Sequence, residues 1–432
     1  MLKLPLLLLI VSDVYMKKCY WNAKSRYTFF GSKTSYDTIR GDIRDYATPD
    51  NCEAISIWTL GRHGNRNPGY QAVPKMLPIV SGIRDEIIAS YDAGHSRLCA
   101  QDIENFRKWT WNTTIEKSLS ELTGTGYQEL YNIGRRLQQK YSSLLQGTAE
   151  QFFFRSTDEQ RSKTSCAALV HGVTDGVDLK VTYEAPLEVE TVVRPYHYCP
   201  KYKENINSGS IDEKLSAFFE SPDYFTVMSC VQKRLGIKTQ LSAENMLSMY
   251  DLCRFHSSWS PNGQDPWCAV FTNKELEILE YFDDIRLYYK DGYWSELPAE
   301  LGKFPLKDLY ERFVAARSGQ GKKLVSYCSH NSMMIMVWCA LGLYKDKCAI
   351  DSLKREPSRK WRTSYISSFS SNIIAVLNRC EESHGQTHRV QLFINEKHTP
   401  VCPLRGCLWK EFENKFQNFT LTSLQLLELS NS

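Results

Sequence analysis

The chain has 432 residues, 42% of them apolar and 24% charged, with 23 Gly and 16 Pro. That globular composition excludes a collagen-like fibre, a simple coiled coil and wholesale disorder. Its 53 Lys and Arg against 49 Asp and Glu leave a net charge of +4, too small a field to mark a nucleic-acid binder, so any basic site is local.

In chain order, the apolar run Leu4–Val11 behind Lys3 is far short of the roughly 20 residues that span a bilayer. It fits the core of a secretory signal peptide, and residues 1–18 are read as one. The mature chain is then expected to hold no transmembrane segment. Ala54–Leu60, β-rich and ending at Gly61, predicts a buried strand. Leu122–Leu145 carries Leu130, Ile133, Leu137, Tyr141 and Leu144 on one helical face. Glu150–Phe154 is strand-like, and Thr157–His171 predicts a helix. Leu324–Cys328 is a strand that leads through His330 into an apolar helix over Met333–Leu343. Two further strands follow at Ile373–Leu377 and Arg389–Ile394.

Strands at both ends of the chain, alternating with helices, imply an α/β sheet flanked by helices and built from distant segments. Residues 20–180 and 306–432 form that core. Between them, 181–305 is richer in Tyr, Lys and Glu and reads as an inserted, mainly helical domain. Fourteen Cys without a CxxC pair suit an oxidising compartment. Cys253 and Cys268 flank the short Trp259–Trp267 loop and are a candidate disulfide, the other pairings staying open. The sequons at Asn112 and Asn418 agree with the secretory pathway, whether endoplasmic reticulum lumen, cell surface or secreted.

The sharpest chemical signal is Gly61-Arg62-His63-Gly64-Asn65-Arg66-Asn67-Pro68, directly after a strand. Guanidiniums give forked donors that match phosphate oxygens. Glycine lets backbone amides approach an anion closely. A histidine among them can attack phosphorus and carry the phosphoryl group.

This motif resembles the histidine phosphatase superfamily in its acid phosphatase and phytase branch, whose sheet is phosphoglycerate mutase-like. Leu122-Thr123-Gly124-Thr125-Gly126 and Arg155-Ser156-Thr157-Asp158 look like further motifs of that branch. Within it, Asp265–Phe271, Gly342–Lys347 and Arg389–Lys397 are similar to the multiple inositol polyphosphate phosphatases. The resemblance spans roughly residues 50 to 400, and the last motifs are long and unrelated to catalysis. It implies His63 as nucleophile, Arg62, Arg66 and Arg155 as phosphate ligands, and His330 as the second catalytic histidine. A helix N-terminus beside His330 favours an anion.

The implied substrates are small polyanionic phosphate esters: inositol polyphosphates up to the hexakisphosphate, and 2,3-bisphosphoglycerate. Lys75 is a weaker candidate for binding their further phosphates. A phosphohistidine route needs no metal or other cofactor. The other histidines, His95, His171, His197, His256, His384, His388 and His398, form no metal-ligand spacing. Nothing in the sequence sets the oligomeric state.

The chain departs from the family at one point. There the second histidine is followed by Asp, or by Ala-Glu, to protonate the leaving oxygen, whereas this chain reads His330-Asn331-Ser332. Asparagine has no proton to give at neutral pH. Asp158 and Glu159 are substitutes by proximity to Arg155, although carboxylates are favoured at helix starts anyway. The alternative reading is therefore a polyphosphate-binding relative with impaired catalysis.

Overall fold

The computed structural model describes residues 19–427 apart from 21–22, 24–25, 177–180, 182, 261–264, 384 and 422–426. The expected signal segment 1–18, part of the Trp259–Trp267 loop and His384 lie outside the described residues. Among the described residues, no helix is long and apolar enough to cross a membrane.

Among the described residues, seven strands form one sheet: β1 (Cys52–Arg62), β2 (Phe152–Ser156), β3 (Leu324–Ser329), β4 (Asn372–Glu382), β5 (Gly385–Ile394), β6 (Lys397–His398) and β7 (Cys407–Leu408). The order is β2-β3-β1-β4-β5-β6, with β7 also on β5. Strands β2, β3 and β1 are parallel, whereas β4 and β5 run antiparallel. Long helical crossovers permit the parallel pairs, and the short β4–β5 turn permits only the antiparallel one.

Alternation along each strand explains the layers. In β4, Ile373, Ala375 and Leu377 face one core, and Ile374 and Val376 face the other. In β1, Trp58 and Leu60 oppose Ile57 in the same way. A strand with both faces apolar must be covered on both sides. Helices Gly124–Lys140 and Gln160–Thr174 cover one face; helices Leu297–Arg317 and Asn331–Ala340 cover the other.

The strands expected from sequence all form; four are longer than expected, and β2 keeps its length but starts at Phe152, because Ala149–Gln151 is a 3-10 turn. Two helices end before their periodicity does, and the one expected over Thr157–His171 keeps its length but lies three residues later, at Gln160–Thr174. The Gly124–Lys140 helix stops before Tyr141, yet Tyr141, Leu144 and Leu145 stay buried in the same core. The 331–340 helix ends ahead of Leu343, because Gly342 takes a left-handed φ of +69° and its N–H closes onto Cys339. Thr157 is not helical, since that helix begins at Gln160.

The segment 195–291 is mainly helical, and helix Leu297–Arg317 runs across position 305 without a break. The helical layer also takes in residues 73–117, part of the stretch 20–180 expected in the core. Arg97 N–H donates to Arg234 O at 2.8 Å, and Ser90 Oγ donates to Leu235 O at 2.8 Å. Disulfides join Cys19–Cys99, Cys52–Cys380, Cys402–Cys407 and the expected Cys253–Cys268.

Helices Gly124–Lys140 and Gln160–Thr174 cross at paired glycines. A Cβ on Gly134 would lie 2.2 Å from Leu169 O, and one on Gly172 would lie 2.0 Å from Tyr131 O. Backbone is on the receiving side, so the helices themselves must separate. Gly134→Ala is expected to cost about 1–3 kcal/mol or more, read as a lower urea midpoint; an unchanged midpoint contradicts this packing.

Candidate active site

Parallel pairing brings three strand ends to one edge of the sheet. Arg62 stands opposite Ser329 in the β1–β3 register, and Ser156 stands opposite Cys328. Just beyond, His63 N–H donates to Ser329 O at 3.0 Å, and Thr157 N–H donates to Cys328 O at 3.2 Å. His63 and His330 therefore meet, with ring centroids 5.7 Å apart.

The turn after β1 is held by close backbone contact. A Cβ on Gly64 would fall 2.4 Å from Gly126 O, and one on Gly126 would fall 2.1 Å from Asn65 O. Thr123 caps the 124–140 helix by accepting from Gly126 N–H, and its own N–H donates to Asn65 O at 2.9 Å. Glycine is required on both sides of this junction. The middle segment closes over the turn: Asn65 Nδ2 donates to Ser258 O at 2.9 Å.

His63 Nδ1 lies 2.8 Å from Gly64 O. A carbonyl only accepts, so Nδ1 carries the ring proton and Nε2 keeps its lone pair. Burial, then Arg62, His330 and Arg66, push His63 well below the usual histidine range. It stays neutral, as a nucleophile must. His330 is lowered as well, by burial and then by Arg161 and Arg194. Its Nε2 lies 2.9 Å from Thr157 Oγ1.

Arg62 is buried and anchored through one terminal nitrogen to Ser32 O at 2.7 Å and Ser367 O at 2.6 Å. Burial, then Arg66, draw it down to about 9. Arg66 falls to about 10 through burial, then Arg161 and Arg286. Arg155 lies 5.4 Å from the Phe153 and Tyr327 ring centres, and its Nε is 3.5 Å from Glu190 Oε2. The buried Nε atoms of Arg62, Arg155, Arg161 and Arg194 all lack a hydrogen-bond partner among the described residues. Crowded, under-satisfied guanidiniums favour an anion that accepts from several at once.

All five residues expected from sequence, His63, His330, Arg62, Arg66 and Arg155, thus belong to or adjoin this edge. Arg161, Arg194 and Arg286 had no assigned role. Arg161 was legible as a second arginine six residues after Arg155; Arg194 and Arg286 carry no motif. Lys75 instead pairs with Glu244 at 2.8 Å, with both side chains more than half exposed. Among the described residues, the metal-sized group Cys19, Cys99 and Asp102 contains a disulfide, so those sulfurs offer no thiolate.

The position after His330 has its own partners. Ser332 Oγ donates to Asp291 Oδ2 at 2.9 Å and accepts from Lys290 Nζ at 3.3 Å. Tyr202 OH donates to Asp291 Oδ1 at 2.6 Å. Asn331 Oδ1 is buried without a partner among the described residues. Of the two substitute acids, Asp158 is mostly exposed and pairs with Lys163 at 2.6 Å. Glu159 accepts from Arg161 at 3.2 Å through Oε2 and from Arg194 at 3.3 Å through Oε1, so both of its oxygens face guanidiniums.

Residues 55–395 match the Histidine phosphatase superfamily (branch 2). The chain belongs to that family. It is a phosphomonoesterase of the histidine acid phosphatase type. The chain is 28% identical over 431 residues to Multiple inositol polyphosphate phosphatase 1 of Drosophila melanogaster, covering 96% of this chain and 90% of the relative. The fold is similar to a phytase from D. castellii, with TM-score 0.69, 15% identity and 91% and 86% of the two chains covered. It is also similar to a Bifidobacterium longum multiple inositol polyphosphate phosphatase crystallised with inositol hexasulfate. That match has TM-score 0.63, 14% identity and coverage of 87% and 94%.

Glu129 supports the branch 2 site from beneath. Its Oε2 accepts from Asn65 N–H at 3.0 Å and Ser370 Oγ at 2.7 Å, and Oε1 accepts from Tyr36 N–H at 3.3 Å. Burial pushes this carboxyl from 4.5 up to about 7, against the lowering effect of those bonds. Between these values the folded chain keeps a proton that the unfolded chain has lost. The stability contributed is full below about 4.5 and is lost as pH rises to 7, roughly 3 kcal/mol in all. The melting-temperature gap between the parent and Glu129→Gln is therefore expected to shrink over that range; a constant gap contradicts it.

Proposed function

We propose that this phosphomonoesterase hydrolyses inositol polyphosphates, up to the hexakisphosphate, and 2,3-bisphosphoglycerate through a phosphohistidine on His63. The observation that carries the reading is a neutral His63 with its Nδ1 proton committed to Gly64, within the field of Arg62, Arg66 and Arg161. The Nε2 lone pair attacks phosphorus while Arg62, Arg66 and Arg155 hold the phosphoryl oxygens. The ester oxygen leaves and takes a proton. Water then attacks the phosphohistidine, releasing phosphate and restoring His63. Arg161, Arg194 and Arg286 add charge for the other phosphates of a polyphosphorylated ligand. The Drosophila relative's name and the hexasulfate complex of the Bifidobacterium protein support that ligand class.

With Asn331 and Ser332 in place of an acid, the proton for the leaving oxygen comes from the Ser332 hydroxyl, backed by Lys290. Ser332 Oγ gives its hydrogen to the leaving oxygen and takes one from the Lys290 ammonium, which recovers it from water. Support comes from the 3.3 Å Lys290–Ser332 contact. A second reading, a polyphosphate binder that turns over too slowly to matter, is favoured by the Ser332 hydrogen bond to Asp291, which points that proton away from a substrate. The inserted helical segment shapes the substrate side. Four disulfides and the exposed sequons at Asn112 and Asn418 support a glycosylated protein of the secretory pathway.

The chain is expected to release phosphate from inositol hexakisphosphate and from 4-nitrophenyl phosphate, with both activities lost in His63→Ala. Binding without release would establish the second reading instead. Lys290→Met should slow the alkyl ester by about 10² or more, the usual worth of a placed proton donor. The aryl ester, whose oxygen leaves without a proton, should change by less than about twofold. Equal losses on both substrates would remove Lys290 from proton delivery.

A further inference from the structure

Two motifs that the sequence analysis set apart from catalysis, Gly342–Lys347 and Arg389–Lys397, meet in the fold. They border a groove of about 690 Å³ between the turn after the 331–340 helix, the stretch 359–365 and the β5–β6 hairpin. None of His63, His330, Arg62, Arg66 or Arg155 lines it. The volume lies within the range of a small-molecule site, about 300–1,000 Å³.

The wall carries Lys345, Arg359, Lys360, Arg362, Lys397 and His398, and no Asp or Glu. Two of these charges are answered from behind. Arg359 pairs with Asp284, and Arg362 pairs with Glu280 at 2.8 Å, both acids being fully buried on the 273–291 helix. The three lysines are different. They are exposed, and none has an ion pair among the described residues. Lys345 Nζ instead lies over the Tyr293 ring at 5.2 Å. Arg362 Nε and His398 Nε2 are buried in the wall without hydrogen-bond partners among the described residues.

We propose that this groove is a second polyanion site, taking a compact ligand that bears several phosphate or sulfate groups. Three unanswered ammoniums around one concavity focus positive potential into it. A ligand with a single charge would meet only one of them, so multiple anionic groups are selected. Tyr344 and Tyr365 give its ring or chain a flat surface. The shared chemistry has two sources, a polyphosphorylated polyol and a sulfated saccharide, and the probes separate them.

The test is titration calorimetry of the full chain with inositol hexasulfate, which carries no phosphoryl group to transfer. The parent is compared with the combined variant Lys345→Glu, Lys360→Glu and Lys397→Glu. These exposed residues lie outside the catalytic edge, so hydrolysis of 4-nitrophenyl phosphate should be unchanged. The proposal predicts that the variant binds one equivalent fewer than the parent. Equal stoichiometry overturns it, and the comparison holds whether or not the His63 site turns over substrate.

A second measurement needs no variant: acetylation of Lys345, Lys360 and Lys397 in the parent, followed by mass spectrometry. With probe at ten times its dissociation constant, labelling should slow about tenfold at these lysines and not at Lys75. Unslowed labelling overturns the proposal as well. Repeating the titration with inositol hexakisphosphate on the His63→Ala chain, and with a sulfated heparin disaccharide, assigns the source to the tighter ligand.

Discussion

Everything at the candidate active-site edge depends on the parallel pairing of β1 with β3. The two strands lie far apart in sequence, yet their main-chain bonds set Arg62 opposite Ser329. The next residue of each strand is then a histidine at the same end of the sheet. Parallel neighbours must run the same way, so both chains emerge from the sheet together. β2 joins the same parallel set and adds Arg155 and Thr157. Antiparallel β4 contributes from its opposite end: Ser371 O accepts from Arg62 N–H at 2.8 Å, and Ser370 N–H donates to His63 O at 3.2 Å. A one-residue slip in this register would turn every side chain to the other face.

The second constraint is electrostatic. Helix Asn273–Asp291 holds four fully buried acids, Glu280, Asp283, Asp284 and Asp291. Glu280 and Asp284 are both answered from the stretch 359–364, and Asp283 and Asp291 from other parts of the chain. Glu280 meets Arg362 and Ser364, Asp284 meets Arg359 and Thr363, Asp283 meets Arg254 and Ser32, and Asp291 meets Tyr202 and Ser332. Buried charges of this kind persist only when paired and hydrogen-bonded. The helix therefore ties the approach to Arg62, through Ser32, to the start of the helix after His330, through Ser332. The arginines at the catalytic edge are the converse case. Glu190 stands beside Arg155 and Glu159 beside Arg161 and Arg194, yet among the described residues the Nε atoms of these arginines and of Arg62 keep no hydrogen-bond partner, which favours an anion from outside.

Much of the fold was legible because alternation and helical spacing are local. The buried strands declared themselves as apolar runs, and their two-sided burial required helices on both faces. The phosphate-type motif was legible for the same reason: strand, turn and charges lie within eight residues. What periodicity overstated was how far the 124–140 helix runs. Tyr141 and Leu144 keep their spacing and their burial, but as turn residues packed on the helix they follow. The contribution of residues 73–117 to the helical layer left no mark, since contacts such as Arg97 to Arg234 join segments with no shared pattern.

By itself, the sequence determined the class of fold, the family, the chemistry of the His63 turn and the lack of an acid at Asn331 and Ser332, because each is written in contiguous residues. Only the tertiary structure decided which distant groups surround that chemistry. It gave His63 its tautomer through Gly64, brought Arg161 and Arg194 toward His330, placed Lys290 and Asp291 on Ser332, and gathered around a second groove three lysines without ion pairs among the described residues. The physical reason is one of range. Propensity and pattern act over a few residues, whereas burial, charge pairing and proton transfer act across space, between groups that only the folded chain makes neighbours.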